Sequence, residues 1–131
     1  MPFDWAEYLL LAKRLAKEDD EASHRTAISR AYYSVYHAAL SFLEESENFQ
    51  APTEGNIHQK LWNEFRRKQK THRAVGIKGD RLRLYRSDAD YKAEIGNLPD
   101  LLEDSCANVK AILYYLDQLN KARTFGPFSD R

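Results

Sequence analysis

Arg30, Tyr33 and His37 stand at i, i+3 and i+7 of one apolar-patterned segment. On an α-helix this spacing puts Arg30 and His37 two turns apart at nearly one azimuth, with Tyr33 between them. An arginine and a histidine so placed suit phosphodiester cleavage. The imidazole would move the 2′-hydroxyl or leaving-group proton, and the guanidinium would neutralise charge on the pentacoordinate phosphorus. The same two side chains can instead bond carboxylates or carbonyls and hold a helix interface. A second cluster is Arg86, Asp90 and Tyr91. Its i, i+4 spacing permits an Arg86–Asp90 salt bridge, which an inward-facing arginine needs. A third is the basic run Arg66, Arg67, Lys68, Lys70 and Arg73, which merges with Arg81 and Arg83 into one patch. Such a patch can contact a phosphate backbone. It can equally be a solvated helix end whose cations complement the helix dipole.

Other chemistries find no support. None of His24, His37, His58 and His72 has a second histidine at helical metal spacing, and there is one cysteine, so no metal site is expected. There is no glycine-rich phosphate loop and no nucleophile elbow, and no cofactor is implied. Cys106 lies on an apolar stripe and reads as a buried small hydrophobe. The Tyr114–Tyr115 pair reads as core and interface.

The elements that must position these residues are helical, since strand alternation is nearly absent. The first helix is expected from about Pro2 to Lys17, with Trp5, Leu9, Ala12 and Ala16 on one stripe. Asp19, Asp20 and Glu21 read as the cap and first turn of a second helix reaching about Ser46. In it Ile28, Tyr32, Val35, Ala39 and Phe42 form the bundle-facing stripe. Its opposite side carries Tyr33, Tyr36 and Leu40 with Arg30 and His37. This is the pattern of a central helix packed on both sides, against another helix or another subunit. After a loop from Asn48 to Gly55, a third helix starts near Asn56 with Ile57, Leu61 and Phe65 inward. The two glycines in Thr71–Gly79 suggest a mobile loop. A fourth helix is expected from Asp80 to about Lys92, with Leu82, Tyr85, Arg86 and Ala89 inward. A fifth opens at Asn97 with Pro99 in its first turn. Leu102, Cys106, Val109, Leu113 and Leu116 stripe it down to about Ala122. The expected fold is all-α: an up-and-down antiparallel bundle of four long helices and one shorter one.

Composition bounds the rest. With 131 residues, 43% of them hydrophobic, the chain supports one core and a single domain, about 3–122, with 123–131 frayed. Lys plus Arg and Asp plus Glu both number 20, so attraction to nucleic acid must come from a local patch. Such a patch exists, because ten basic residues between Lys60 and Arg86 face only Glu64 and Asp80. No apolar stretch reaches the roughly 20 residues of a membrane span. The acidic start, with Asp4 and Glu7, does not resemble a secretory signal, and the single cysteine fits a reducing compartment. A cytoplasmic location is expected.

Taken together, the first two clusters resemble a HEPN domain (higher eukaryotes and prokaryotes nucleotide-binding). The likeness is to the small prokaryotic HEPN proteins encoded beside minimal nucleotidyltransferases. Ser29-Arg30-Ala31-Tyr32-Tyr33-Ser34-Val35-Tyr36-His37-Ala38-Ala39 is similar to the family's helix of an Arg, paired aromatics and His-Ala-Ala. Leu84-Tyr85-Arg86-Ser87-Asp88-Ala89-Asp90-Tyr91 is similar to its later helix of Leu, Arg and Ala-Asp-Tyr. The resemblance runs from about Trp5 to Leu119. It implies a helical bundle that commonly dimerises and serves toxin–antitoxin, defence or RNA-processing systems. The partners it implies are a second copy, a nucleotidyltransferase-like protein, and RNA or a nucleotide. Many members are metal-independent endoribonucleases with an Arg, a short spacer and a His, typically on the late helix. In this chain Tyr91 follows Arg86 where that histidine would stand, and the Arg/His pair falls on the early helix. The expectation is a binding protein, with Arg30 and His37 as catalytic residues in the alternative, nuclease reading.

Overall fold

The computed structural model describes residues 2–125 of the chain. Five helices pack together: α1 (Ala6–Ala16), α2 (Glu21–Ser46), α3 (Ile57–Arg66), α4 (Thr71–Tyr91) and α5 (Leu98–Phe125). No strand occurs among the described residues. α1 and α3 have 11 and 10 residues, so the lengths divide as three long helices and two short ones. Helix α5 extends through Phe125, past the expected end near Ala122. The rest of the expected frayed tail, 126–131, lies outside the described residues.

α2 is the central element, packed on α1, α3, α4 and α5. Its start follows the sequence closely, with the Asp20 carboxylate accepting the Ser23 backbone N–H at 2.9 Å. Its expected stripe is the core: Ile28, Tyr32, Val35, Ala39 and Phe42 are all buried. α3 is capped by Asn56, whose Oδ1 accepts from the Gln59 N–H at 2.9 Å. It inserts Leu61, Phe65 and also Trp62, the largest fully buried side chain.

The main correction concerns Thr71–Gly79, which is helix rather than loop. α4 begins at Thr71, after a turn in which Lys70 takes φ 55°. Its two glycines do not break it, because they lie where α4 crosses α3. A Cβ on Gly79 would stand 2.2 Å from the Trp62 ring, and one on Gly76 2.7 Å from the Trp62 carbonyl oxygen. The glycines thus answer a packing need, and the inward stripe of α4 runs unbroken through Val75, Gly79, Leu82 and Ala89. Asp80 is therefore a mid-helix residue and not a cap. It pairs with Arg83 at 2.9 Å and Arg66 at 3.3 Å.

A second correction concerns α5. Its buried line is Ser105, Asn108, Val109, Ile112 and Leu116. Two of those residues are polar, so an apolar count misses them. The true face is rotated, and Cys106 is exposed at its edge rather than buried.

α2 and α4, which carry the two sequence clusters, are tied by Arg25. Its Nη1 donates to the Ala89 and Lys92 carbonyls at 3.1 and 2.5 Å, and its Nη2 to the Ala93 carbonyl at 3.1 Å. The Ala89 carbonyl belongs to the last turn of α4 and the other two follow its end, where a cation also complements the helix dipole. Glu21 holds the same guanidinium at 2.8 Å.

Candidate functional site

The two clusters, far apart in the sequence, meet in one groove. Arg30, Tyr33 and His37 of α2 line it with Arg86, Asp90 and Tyr91 of α4, and the start of α1 contributes Trp5 and Tyr8. Its volume is about 280 Å³.

Tyr33 lies between the two cations. The Arg30 Cζ stands 5.0 Å from its ring centroid and the Arg86 Cζ 5.7 Å. Arg30 also covers Tyr8 at 4.7 Å, and Arg86 faces Tyr32 at 5.8 Å. Aromatic faces attract guanidinium groups without consuming their N–H donors. Those donors are little used. Arg30 Nη2 donates to Ser29 Oγ at 3.2 Å, and Arg86 Nη1 reaches Asp90 Oδ2 only at 3.5 Å. Arg86 Nε is buried and has no hydrogen-bond partner among the described residues. The expected Arg86–Asp90 pair therefore forms, but it is long. Asp90 also accepts from Ser29 Oγ at 3.3 Å. Asp90 thus meets Arg86 directly and Arg30 only through Ser29, which leaves most of the two guanidinium groups' N–H donors unspent.

His37 lies under the Trp5 indole, which stacks on it at 3.5 Å. Its ring makes no hydrogen bond to a described residue. Burial holds its pKa below the ordinary value of 6.5, so it is neutral at pH 7. A neutral imidazole with free nitrogens can accept a proton.

A second histidine joins the cluster that the sequence reading had not singled out. His58, at the start of α3, stacks on Tyr36 with ring centroids 4.3 Å apart. Its Nδ1 is 2.7 Å from Tyr32 Oη, and Tyr32 Oη is 3.0 Å from Trp62 Nε1. An indole N–H can only donate, so Tyr32 accepts from Trp62 and gives its own proton to His58. His58 is thereby held as the neutral Nε2–H tautomer. Burial lowers its pKa first, and the charges of Arg86 and Arg83 and the nearby His37 lower it further. Burial also raises the Tyr32 hydroxyl far above its ordinary value, so the phenol stays protonated. No motif marks His58, since its partners come from α2. The one signal available was its place on the first turn of α3, a turn before the buried Leu61–Trp62.

The basic patch is largely engaged in ion pairs. Arg67 meets Glu64 at 2.6 Å, Arg66 meets Asp80, and Lys68 meets Glu47 at 3.0 Å. Arg83 is held by Asp80. Glu47 lies outside the α3–α4 window and arrives from the end of α2, where it also accepts from His72 at 2.6 Å. Among the described residues, Lys70, Arg73 and Arg81 make no ion pair.

No group of three or more His, Cys, Asp or Glu able to hold a metal ion occurs among the described residues. No helix among them is long and apolar enough to cross a membrane. Compared with known proteins, the chain matches no family model, no curated protein and no solved structure.

Proposed function

We propose that the groove binds the phosphodiester backbone of single-stranded RNA. The observation that carries this reading is the convergence of Arg30 and Arg86 on one groove with their N–H donors largely unspent. A planar guanidinium pair matches a phosphate, and the exposed rings of Trp5 and Tyr91 offer faces on which bases stack. The resemblance to HEPN proteins favours the same reading. It adds a setting: a dimeric component of a toxin–antitoxin, defence or RNA-processing system that partners a nucleotidyltransferase-like protein. Lys70 and Arg73 stand at the other end of α4, about 20 Å along its axis from Arg86, where a longer RNA would meet them.

The test is the affinity of the full chain for a short labelled RNA as salt is raised. Hydrogen bonds to charged groups contribute about 1.5–3 kcal/mol each, so Arg30→Ala and Arg86→Ala should each weaken binding about tenfold or more. Lys70→Glu with Arg73→Glu should chiefly flatten the salt dependence. Affinity unchanged in the Arg30→Ala, Arg86→Ala double variant would overturn the reading.

The neutral state of His37 favours a second reading, metal-independent endoribonuclease activity. His37 would take the proton of the 2′-hydroxyl, which then attacks the adjacent phosphorus and expels the 5′-oxygen, and that oxygen takes a proton from solvent water to leave as a hydroxyl. Arg30 and Arg86 would stabilise the charge on phosphorus. Cleavage in EDTA yielding a cyclic phosphate, lost in a folded His37→Ala variant, is the expected result. Cleavage retained by that variant sinks the assignment.

A further inference from the structure

α1 and α5 both lie on α2, but they form no extended packing with one another. The floor between them is α2 at Ala27 and Ala31, whose methyl groups leave the space that larger side chains would fill. The result is an apolar cleft of about 350 Å³, within the roughly 300–1,000 Å³ of small-molecule sites. Leu9 and Ala12 form one wall, and Val109 and Leu113 the other. Leu9 and Leu113 also border a second cavity of about 300 Å³, lined further by Phe3, Asp4, Trp5 and His37. The α5 wall of the cleft runs from Cys106 to Leu113, about 10 Å of helix, which gives room for a short extended chain.

The cleft is apolar but its lining is not neutral. Lys13 enters from the α1 side and Lys110 from the α5 side. Neither makes an ion pair or a side-chain hydrogen bond with a described residue, and no carboxylate lines the cleft. Both side chains are exposed, so their charges stand at the rim of the cleft, where an anion would be attracted by both. Long lysine stems can also lie along apolar surface with the charge at the rim. Cys106 completes the α5 wall. Its neighbours desolvate the thiol and raise its pKa, while the Lys13 charge, close enough to act across the cleft, pulls it down.

We propose that this cleft is a binding site for a single-chain amphiphilic carboxylate, with the acyl chain over Ala27 and Ala31 and the carboxylate between Lys13 and Lys110. The cleft shares no lining residue with the arginine groove, and the proposal does not rest on the RNA reading.

The experiment titrates the full chain with decanoate, well below micelle formation, and follows heat of binding together with the labelling rate of Cys106. Decylammonium, with the same chain and the opposite charge, is the comparison. Decanoate should bind at one saturable site and slow labelling in proportion to occupancy, while decylammonium should do neither. Lys13→Glu with Lys110→Glu changes only exposed positions, so the fold should persist. It should weaken decanoate about tenfold or more and admit decylammonium instead. The proposal fails if no saturable binding occurs, if Cys106 labels at the same rate with decanoate bound, or if the charge reversal leaves affinity unchanged. It also fails if labelling slows with protein concentration alone, which would make a second copy of the chain the occupant.

Discussion

The Trp5 indole and the His37 imidazole are nearly parallel, with centroids 3.5 Å apart and planes 7° apart. Trp5 sits at the N-cap of α1 and is itself 36% exposed, so it is the outer layer of the stack and His37 the inner one. Removing the cover rehydrates the imidazole. Trp5→Ala should raise the His37 pKa toward 6.5, read as the midpoint of its ring-proton shifts in an NMR titration. An unchanged midpoint would show that the indole is not what desolvates it. If the nuclease reading holds, the acid limb of the pH–rate profile should move in the same direction.

The pH dependence of stability has a definite sign. His37 and His58 both have folded-state pKa values depressed below 6.5, so the unfolded chain binds their protons first as pH falls. Their contribution is fully present above about pH 6.5 and is lost as pH drops through the depressed folded values. Urea midpoints should therefore decline below about pH 6.5. The decline should be shallower in a His58→Gln variant. The same slope in both proteins would remove His58 from the account.

Tyr32→Phe cuts the chain from Trp62 to His58. It leaves the Trp62 N–H buried without an acceptor, at a cost of about 1–3 kcal/mol. It also releases His58 from the Nε2–H tautomer. Nitrogen shifts of the His58 ring should show one dominant tautomer in the parent protein and a mixture in the variant. A single tautomer in both would mean that something else fixes the ring.

Gly79→Ala tests the crossing of α3 and α4. The new methyl meets the Trp62 ring at 2.2 Å, and Trp62 is fully buried. Overpacking of this kind costs typically about 1–3 kcal/mol, and the helix-propensity gain of alanine, about 1 kcal/mol, does not offset a displaced indole. The melting midpoint should fall. Gly96→Ala, with nothing within 4 Å of the added Cβ, should leave it in place or raise it.

Arg25→Ala removes three carbonyl partners from the end of α4 without touching the groove. Amide exchange at Lys92, whose N–H bonds the Asp88 carbonyl, should accelerate. RNA affinity should drop in step, because Arg86 and Asp90 lose their fixed relation to Arg30. Arg25→Lys should not restore either property, since one ammonium cannot reproduce the planar fork. Faster exchange with unchanged affinity would separate the clamp from the site.

How much of this was legible in the sequence depends on which physics decides each element. The stripe of α2 was readable because burial there follows helical periodicity. Its second face is partly covered by Trp5 at the N-cap of α1, by Tyr8 within α1 and by His58 of α3. The glycines of α4 look locally like breakers, while their close approach to Trp62 is a tertiary fact. α5 was read on its apolar residues, and buried Ser105 and Asn108 shifted the true face away from Cys106. Arg30, Tyr33, His37, Arg86, Asp90 and Tyr91 were all named, but as two clusters. What joins them is the packing of α2 on α4, which no local pattern records. Of the basic patch, the charge was correctly counted, but the pairing with Glu47 required the fold.

The clamp also bears on when the groove can exist. Arg25 bonds carbonyls 64, 67 and 68 residues further along the chain. Chains are made from the N-terminus, and contacts of such separation close late. The early helix, with Arg30 and His37, thus emerges from the ribosome well before the residues that complete its site. Nascent chains carry half of the groove, and its second arginine is added only as synthesis nears the last helix. A protein whose groove engages RNA would in this way be withheld from the RNA around the ribosome until α4 has docked.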